Sequence, residues 1–187
     1  MRRLILLLLI AGVALAVYLA MGAVRSTEPL SSSSDQPRIL IDKSERLLTL
    51  YEGETIVRTY RIGLGTKPVP DKVKQGDRAT PEGEFTVLIK NPRSDYTLSL
   101  GLNYPTVEDA ARGLADNLIS QTEHDAIVDA HRRGVMPPQS TALGGDIYIH
   151  GGGSTKDWTW GCVALDDDDI RELYAAVREG TVVRIEP

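Results

Sequence analysis

The chain has 187 residues, a single cysteine and a formal net charge of −5 at pH 7. This negative balance gives no electrostatic basis for binding nucleic acid or an anionic membrane surface, because both need clustered positive charge. One cysteine cannot form an internal disulfide, which excludes a disulfide-stabilised scaffold.

The N-terminal 37 residues differ in composition from the rest. Two arginines are followed by an uncharged, apolar stretch at residues 4–24. About 20 such residues suffice to cross a bilayer, so we expect residues 1–24 to be a signal anchor that reaches the membrane. Ala20 and Gly22 leave signal cleavage as the alternative. Residues 25–37 are rich in Ser and Pro and predict a flexible linker. Either outcome delivers the following domain, residues 38–187, outside the cytoplasm.

The first part of that domain is predicted to be β-structure. Apolar stretches at residues 38–42, 46–51 and 55–63 are separated by short polar turns, and a fourth strand is predicted at 85–90. The sequence GLG at residues 63–65 resembles the start of a phosphate loop, but nearby prolines exclude the helix that such a loop requires.

The middle of the domain changes to helical periodicity. Thr106 and Ser120 each stand three residues before an acidic residue, as in a capping box, and apolar residues follow at helical spacing. We therefore predict helices at residues 107–118 and 121–133.

The C-terminal part returns to strands and adds one helix. Strands are predicted at residues 146–150, 163–165 and 181–186. A helix is predicted to begin after Asp166, and the four aspartates at 166–169 suit its N-cap and the positive end of its dipole. A metal site is the weaker interpretation, because hard metals need spaced oxygen ligands. No metal or cofactor is expected.

The stretch IHGGGSTKDWTWGC holds the side chains best suited to nucleophilic chemistry. A cysteine reacts as thiolate and needs a base, and histidine is its natural partner. His150 ends a predicted strand, and glycines at 151–153 allow the following loop to bring Cys162 back beside it. We predict Cys162 as nucleophile and His150 as base; a buried structural cysteine and histidine are the alternative.

Two further groups are needed around such a pair. The backbone N–H groups of Gly161 and Cys162, with that of Trp160, are the candidates for an oxyanion hole. The second ring nitrogen of the histidine needs an acceptor. A backbone carbonyl within residues 151–153 is favoured over the carboxylate of Asp157.

The segments IYIHGGG and DWTWGCVAL together resemble the L,D-transpeptidase (YkuD) catalytic domain, and the similarity covers residues 38–187. The resemblance implies a mostly β fold with α-helices, a β-sandwich with a capping helix and a helical insertion. It also implies a cysteine acyltransferase of the cell envelope. Cys162 would attack the carbonyl of the third residue of a peptidoglycan stem peptide, usually diaminopimelate, expel D-alanine and pass the acyl group to an amine. His150 would be the base and Gly161 would lie in the oxyanion hole. Carbapenems would acylate the same thiol.

The resemblance has two departures and leaves alternatives open. Many members have a histidine at position 160 and an arginine at position 164, where this chain has tryptophan and alanine. The residues expected to contact the substrate are Thr159, Trp160, Trp158, Tyr104 and Gly151, and Arg93, Tyr104 or Lys156 would replace the missing arginine. The alternative functions are a hydrolase acting on the same linkage and a non-catalytic wall-binding module.

Overall fold

A computed structural model describes residues 36–187. The predicted signal anchor and all but the last two residues of the predicted linker lie outside the described residues. Pro37, the last residue of that linker, is already the first residue of a strand. Within residues 36–187, no helix combines the length and the apolar character needed to span a membrane.

The described part of the chain contains strands at both ends and helices in between. Its elements in chain order are β1 (Pro37–Asp42), β2 (Leu47–Glu52), β3 (Thr55–Arg61), β4 (Gly83–Ser94), β5 (Thr97–Leu102), α1 (Val107–Ala115), α2 (Gln121–Arg132), β6 (Tyr148–His150), β7 (Val163–Ala164), α3 (Asp167–Ala176) and β8 (Val182–Glu186).

All eight of these strands belong to one sheet, in the order β3-β2-β1-β8-β4-β5-β6-β7. The long strand β4 joins its two parts, because residues 83–86 pair with β8 whereas residues 87–94 pair mainly with β5. The sheet curls at this strand, and residues from both parts share one hydrophobic core. The predicted mostly β fold with α-helices is therefore confirmed, and its β-structure is one curled eight-stranded sheet.

The predicted strands follow the alternation of the sequence. Ile39 and Ile41 on β1 and Leu48 and Leu50 on β2 are almost completely buried, as residues two apart on one face of a strand should be. β5 is the strand that the sequence analysis missed, although its leucines also alternate.

The helical insertion is held by the predicted caps. In both α1 and α2 the N-cap hydroxyl accepts from the third helical N–H, and the acidic side chain at that position accepts from the N-cap N–H. A small separate core forms between the helices, around Ala110, Ile119, Ile127 and Leu143. Helix α1 ends three residues earlier than predicted.

The four aspartates occupy the predicted positions, with Asp167, Asp168 and Asp169 in the first turn of α3. Asp166 occupies the N-cap position, but its side chain makes no capping hydrogen bond. One of its carboxylate oxygens accepts from both the N–H and the hydroxyl of Ser154. No group of three or more potential metal-binding residues is present within residues 36–187.

Candidate active site

Neighbouring strands bring the histidine and the cysteine to one face of the sheet. The parallel pairing of β6 with β7 places Ile149 beside Val163, so Cys162, one residue earlier, lies level with Tyr148. Because residues two apart on a strand point to the same face, Tyr148, Cys162 and His150 share a face. All three line one cavity of about 310 Å³, whereas Ile149 and Val163 are completely buried.

The backbone beside His150 fixes the tautomer of its imidazole. Nδ1 lies 2.6 Å from the carbonyl oxygen of Gly151. A carbonyl can only accept, so Nδ1 carries the proton and Nε2 is free to accept one. The predicted backbone acceptor is therefore confirmed. The carboxylate of Asp157 has other partners, since it pairs with Arg46 and accepts from the N–H of Leu64.

Two aromatic side chains enclose the imidazole. The ring of Tyr96 stacks on it with centroids 4.7 Å apart, and Trp158 approaches edge-on at 5.6 Å. His150 is only 5% exposed. Burial lowers the pKa of His150 below its ordinary value, although the hydrogen bond to Gly151 acts in the opposite direction. The ring is consequently neutral at neutral pH, which is the state a proton acceptor requires.

The thiol of Cys162 is held by backbone groups on β6 and just before it. The N–H of Tyr148 donates to Sγ at 3.4 Å, and Sγ donates to the carbonyl oxygen of Asp146, also at 3.4 Å. Within residues 36–187, these contacts and not His150 are the hydrogen-bond partners of the sulfur. In this structure the sulfur is therefore held as a protonated thiol.

The surroundings of the sulfur favour that neutral form. Burial raises the pKa of Cys162 to about 11; the Tyr148 N–H opposes this shift, the carboxylate of Asp146 adds to it and the ammonium of Lys72 lowers it. The lowered pKa of His150 and the raised pKa of Cys162 therefore both favour the uncharged forms of the two side chains.

Two aspartates at the start of α3 form hydrogen bonds with the glycine loop that follows His150. Besides the contacts of Asp166 to Ser154, the carboxylate of Asp167 accepts from the N–H of Gly152 and from the hydroxyl of Thr97, at 2.9 and 2.8 Å. The aspartate run therefore connects the helix, the active-site loop and the turn between β4 and β5. The sequence contains no signal for these contacts, which join residues far apart in the chain.

The GLG segment also supports the site, by close backbone contact. Gly63 and Gly65 form isolated bridges to Ala164 and Thr159, on either side of the thiol. A Cβ atom on Gly63 would lie 2.3 Å from the carbonyl oxygen of Lys156, so only glycine fits there. The GLG segment therefore has a structural role, in agreement with the prediction that it is not a phosphate loop.

Gly161 has a steric role, and its amide is already paired. It has φ +131°, and a Cβ atom there would lie 2.8 Å from the carbonyl oxygen of Ala79. Its N–H donates to the hydroxyl of Thr159, which in turn donates to the carbonyl of Cys162. The prediction that the Gly161 N–H belongs to an oxyanion hole is therefore corrected, because this hydrogen bond occupies it. Thr159 shapes the turn that carries the thiol.

Two predicted substrate contacts lie away from the open site. Tyr104 is completely buried, and its hydroxyl donates to the carbonyl of Leu143. Gly151 is also buried, with its carbonyl taken by His150 and its N–H by the carbonyl of Tyr96. Both predictions were wrong, because these groups serve the core and the base instead of a ligand.

Two candidates for the missing arginine lie in different places. Arg93 is exposed and lines the 310 Å³ cavity together with Cys162. Lys156 lines a separate cavity beside Trp158 that contains neither the thiol nor the imidazole. Of the three residues considered, only Arg93 therefore shares a cavity with the nucleophile.

A second cavity is also lined by the thiol. It has a volume of about 280 Å³, and its walls include both tryptophans as well as His150 and Cys162. Trp160 is 71% exposed, and the guanidinium of Arg78 lies 4.7 Å from its ring centroid. The tryptophans therefore wall a groove and are not core residues.

Two residues of this site were missed from the sequence. Tyr96, at the turn between β4 and β5, borders both cavities, and Asp146 borders the first. The sequence SDYT at positions 94–97, set between apolar stretches, is a typical turn and was a usable signal for a hairpin. Asp146 had no comparable signal.

The chain is similar to proteins of known sequence and structure. A sequence model of the L,D-transpeptidase catalytic domain (YkuD) matches residues 36–185. The probable L,D-transpeptidase YcfS of Escherichia coli K12 is 31% identical over 163 residues, which cover 81% of this chain and 45% of that protein. The present chain thus spans less than half the length of that relative.

Solved structures share the fold. The helical cell shape determining protein Pgp2 of Campylobacter jejuni has a TM-score of 0.59 and 21% identity, covering 82% of this chain and 48% of that chain. Bd1075 of Bdellovibrio bacteriovorus has a TM-score of 0.52 and 20% identity, covering 84% of this chain and 50% of that chain.

Proposed function

The chain belongs to the L,D-transpeptidase (YkuD) catalytic domain family, and from this membership we propose that it is a cysteine acyltransferase acting on peptidoglycan stem peptides. The donor is a tetrapeptide stem, the acyl group is carried on Cys162, and the acceptor is an amine of a neighbouring stem. The product is a 3–3 cross-link.

The observation that carries this proposal is that the proposed catalytic pair lines two cavities. Cys162 and His150 line both the 310 Å³ cavity and the 280 Å³ cavity. Transfer needs a donor and an acceptor to reach the same sulfur, and two spaces meeting at one thiol provide room for both. Hydrolysis would need only one, because water is small.

The proposed reaction uses the resting protonation states directly. Nε2 of His150 takes the thiol proton, and the resulting thiolate attacks the carbonyl of the third stem residue. The tetrahedral intermediate collapses, its C–N bond breaks, and the imidazolium returns the proton to the departing D-alanine amine. The acceptor amine then attacks the thioester, loses a proton to His150 and releases the thiol.

Other residues bind the substrate and the developing charge. With the Gly161 N–H occupied, we assign the oxyanion hole to the N–H groups of Cys162 and Trp160. Arg93 is proposed as the anchor for a substrate carboxylate, since it lines the thiol cavity and carries the charge that position 164 lacks. Trp158 and Trp160 are proposed to form the wall of the acceptor groove.

The cell envelope is the proposed location, because the stem peptides lie there. The uncharged stretch at residues 4–24 supports membrane anchoring before export of the domain, with cleaved secretion as the alternative.

The test is incubation of the purified protein with a disaccharide tetrapeptide, followed by mass spectrometry of protein and products. We expect an acyl adduct on the protein, release of D-alanine and the appearance of cross-linked dimers. Cys162→Ala should show none of these, and a carbapenem should add one adduct to the wild type and none to this variant.

The products separate the alternatives. Tripeptide without dimers, even with excess acceptor, would identify a hydrolase. A wild-type protein that forms no adduct with either reagent, but binds cell wall as well as Cys162→Ala does, would identify a non-catalytic binding module.

A further inference from the structure

Asp146 places a negative charge beside the nucleophile without a visible structural reason. Its side chain is exposed and lines the cavity that contains Cys162 and Arg93. Within residues 36–187, its carboxylate forms no hydrogen bond and no ion pair, whereas its backbone N–H and carbonyl are both hydrogen-bonded. The carboxylate is therefore available to a ligand in the cavity.

The backbone of Asp146 is held in place from both sides. It adopts φ +54°, in the left-handed region where aspartate and asparagine are the most tolerated residues apart from glycine. Its N–H donates to Oε1 of Gln139 at 2.7 Å, and the amide nitrogen of the same side chain donates to the carbonyls of Tyr104 and Pro137. Its own carbonyl accepts the Cys162 thiol. The carboxylate is thus presented from a fixed position.

This position is unfavourable for forming a thiolate. A carboxylate near a sulfur opposes a second negative charge: burial is the main cause that raises the pKa of both Cys162 and Tyr148, and Asp146 adds to the shift in each case. The compensating cation, Lys72, is buried and already paired with Asp77 at 2.9 Å. The remaining charged groups on this cavity are Arg93 and Asp95, and His150 is neutral. Because this unpaired carboxylate disfavours the Cys162 thiolate, we expect it to have another role in the reaction.

We propose that Asp146 binds the side-chain ammonium group of the third stem residue of the donor peptide. The inference rests on the proposed function and specifies which part of the substrate lies in the 310 Å³ cavity. The third residue is the one whose carbonyl the thiol attacks, so its side chain must lie near the sulfur. With Arg93 on the same cavity, the site offers one cation and one anion, which suits the free amino-acid end of a diaminopimelate side chain.

Binding of that ammonium would also prepare the nucleophile. A cation next to Asp146 cancels the charge that opposes the thiolate, so substrate recognition and proton transfer to His150 become coupled. Asp146 is thus a specificity-determining residue. Its charge disfavours the Cys162 thiolate in the free enzyme, and the ammonium of the correct substrate neutralises that effect.

The test compares wild type with Asp146→Asn, because asparagine has the same shape and tolerates the same backbone conformation. Acylation of Cys162 is followed by intact-mass analysis with two tetrapeptides, one with the side-chain amine of residue three free and one with it acetylated. Alkylation by iodoacetamide, which is neutral, is measured in parallel. We expect wild type to prefer the free amine by about tenfold and the variant to show no preference. We also expect the variant to be alkylated about threefold faster.

Ligand recognition is distinguished from damage to the fold by the acylation rates themselves. A misfolded variant would expose the thiol to iodoacetamide but lose acylation by both peptides, whereas Asp146→Asn should be acylated by the acetylated peptide at least as fast as wild type. Asp95→Asn removes the other carboxylate of the cavity and should keep the preference. A preference that survives in Asp146→Asn, or is lost equally in Asp95→Asn, would overturn the assignment while leaving the acyltransferase intact. A wild type acylated by neither peptide would overturn the proposed function and this inference together.

Discussion

The proposed base and the proposed nucleophile line the same cavity but are held very differently. His150 is buried, stacked on Tyr96, and hydrogen-bonded at 2.6 Å to Gly151, whose loop is tied by Asp167. Cys162 is held by two contacts of 3.4 Å, both to backbone groups. The base is fixed in one tautomer and orientation, whereas the nucleophile can leave its resting contacts.

This difference follows from what each group must do. The imidazole has to accept a proton at one defined nitrogen, so its orientation must be set before the reaction. The sulfur has to move from a neutral thiol to a carbon-bonded atom, so strong hydrogen bonds to the thiol would stabilise the wrong state. Substitutions and pH changes should therefore affect the fixed imidazole and the weakly held thiol in different ways.

The largest effect is expected from removing the base. His150→Ala should lower the rate of Cys162 acylation by about 10³-fold, because general base catalysis typically contributes that much. His150→Asn is the matched control for structure, since an amide N–H can still donate to the carbonyl of Gly151. Both variants should be inactive, with Asn retaining more of the melting temperature. If acylation and thermal stability fell in proportion in the two variants, His150 would be a structural residue.

For the weakly held Cys162, the pH dependence of alkylation should show that the thiol is protonated at neutral pH. Because the pKa of Cys162 is about 11, iodoacetamide alkylation should rise about tenfold per pH unit between pH 8 and 10. A free cysteine would approach its plateau near pH 9. As the chain has one cysteine, intact mass reports this residue alone, and tryptophan fluorescence checks that the fold persists. A plateau below pH 9 would show that the thiol is activated in the free protein.

A smaller effect is expected from removing the aromatic ring that stacks on His150. Tyr96→Leu removes the stacked ring and should lower kcat by about tenfold, because small errors in orientation are costly. It should also raise the pKa of His150 toward its ordinary value by admitting water, which shifts the acidic limb of the kcat/KM profile to higher pH. Tyr96→Phe keeps the ring and should match wild type within about twofold. An unchanged pH profile in Tyr96→Leu would contradict a positioning role.

The smallest effect is expected from Asp167, which holds the loop that follows His150. Asp167→Ala removes the hydrogen bonds to Gly152 and Thr97, and should lower kcat/KM about threefold, since these contacts are exposed. Asp168→Ala, next to it, loses only an exposed ion pair to Arg171 and serves as control. Equal activities in the two variants would mean that the loop needs no tie from α3.

The sequence allowed the proximity of His150 and Cys162 to be predicted because it depends on residue type and local order. A strand-end histidine, a glycine run and a single Gly–Cys pair are neighbours in the chain, and so is the carbonyl that orients the ring. The capping boxes of α1 and α2 were predictable for the same reason. In each case the partners lie within about a dozen residues of one another.

The remaining parts of the site depend on contacts between distant residues. Tyr96 reaches His150 only because β5 lies beside β6, and β5 itself was missed although Leu98, Leu100 and Leu102 alternate. Tyr104 was predicted to contact the substrate, but it lies completely buried in the main hydrophobic core. Gly161 was expected to bind an oxyanion, and only the fold shows its amide paired with Thr159.

The burial of the Cys162 sulfur has a consequence for the chemical survival of the protein. Peroxide and disulfides react with the thiolate, and burial raises the pKa of Cys162 to about 11, so the unreactive thiol dominates at neutral pH. A lone cysteine buried in this way should resist oxidation to the sulfenic acid. The environment that keeps the thiol protonated therefore also protects it under oxidising conditions.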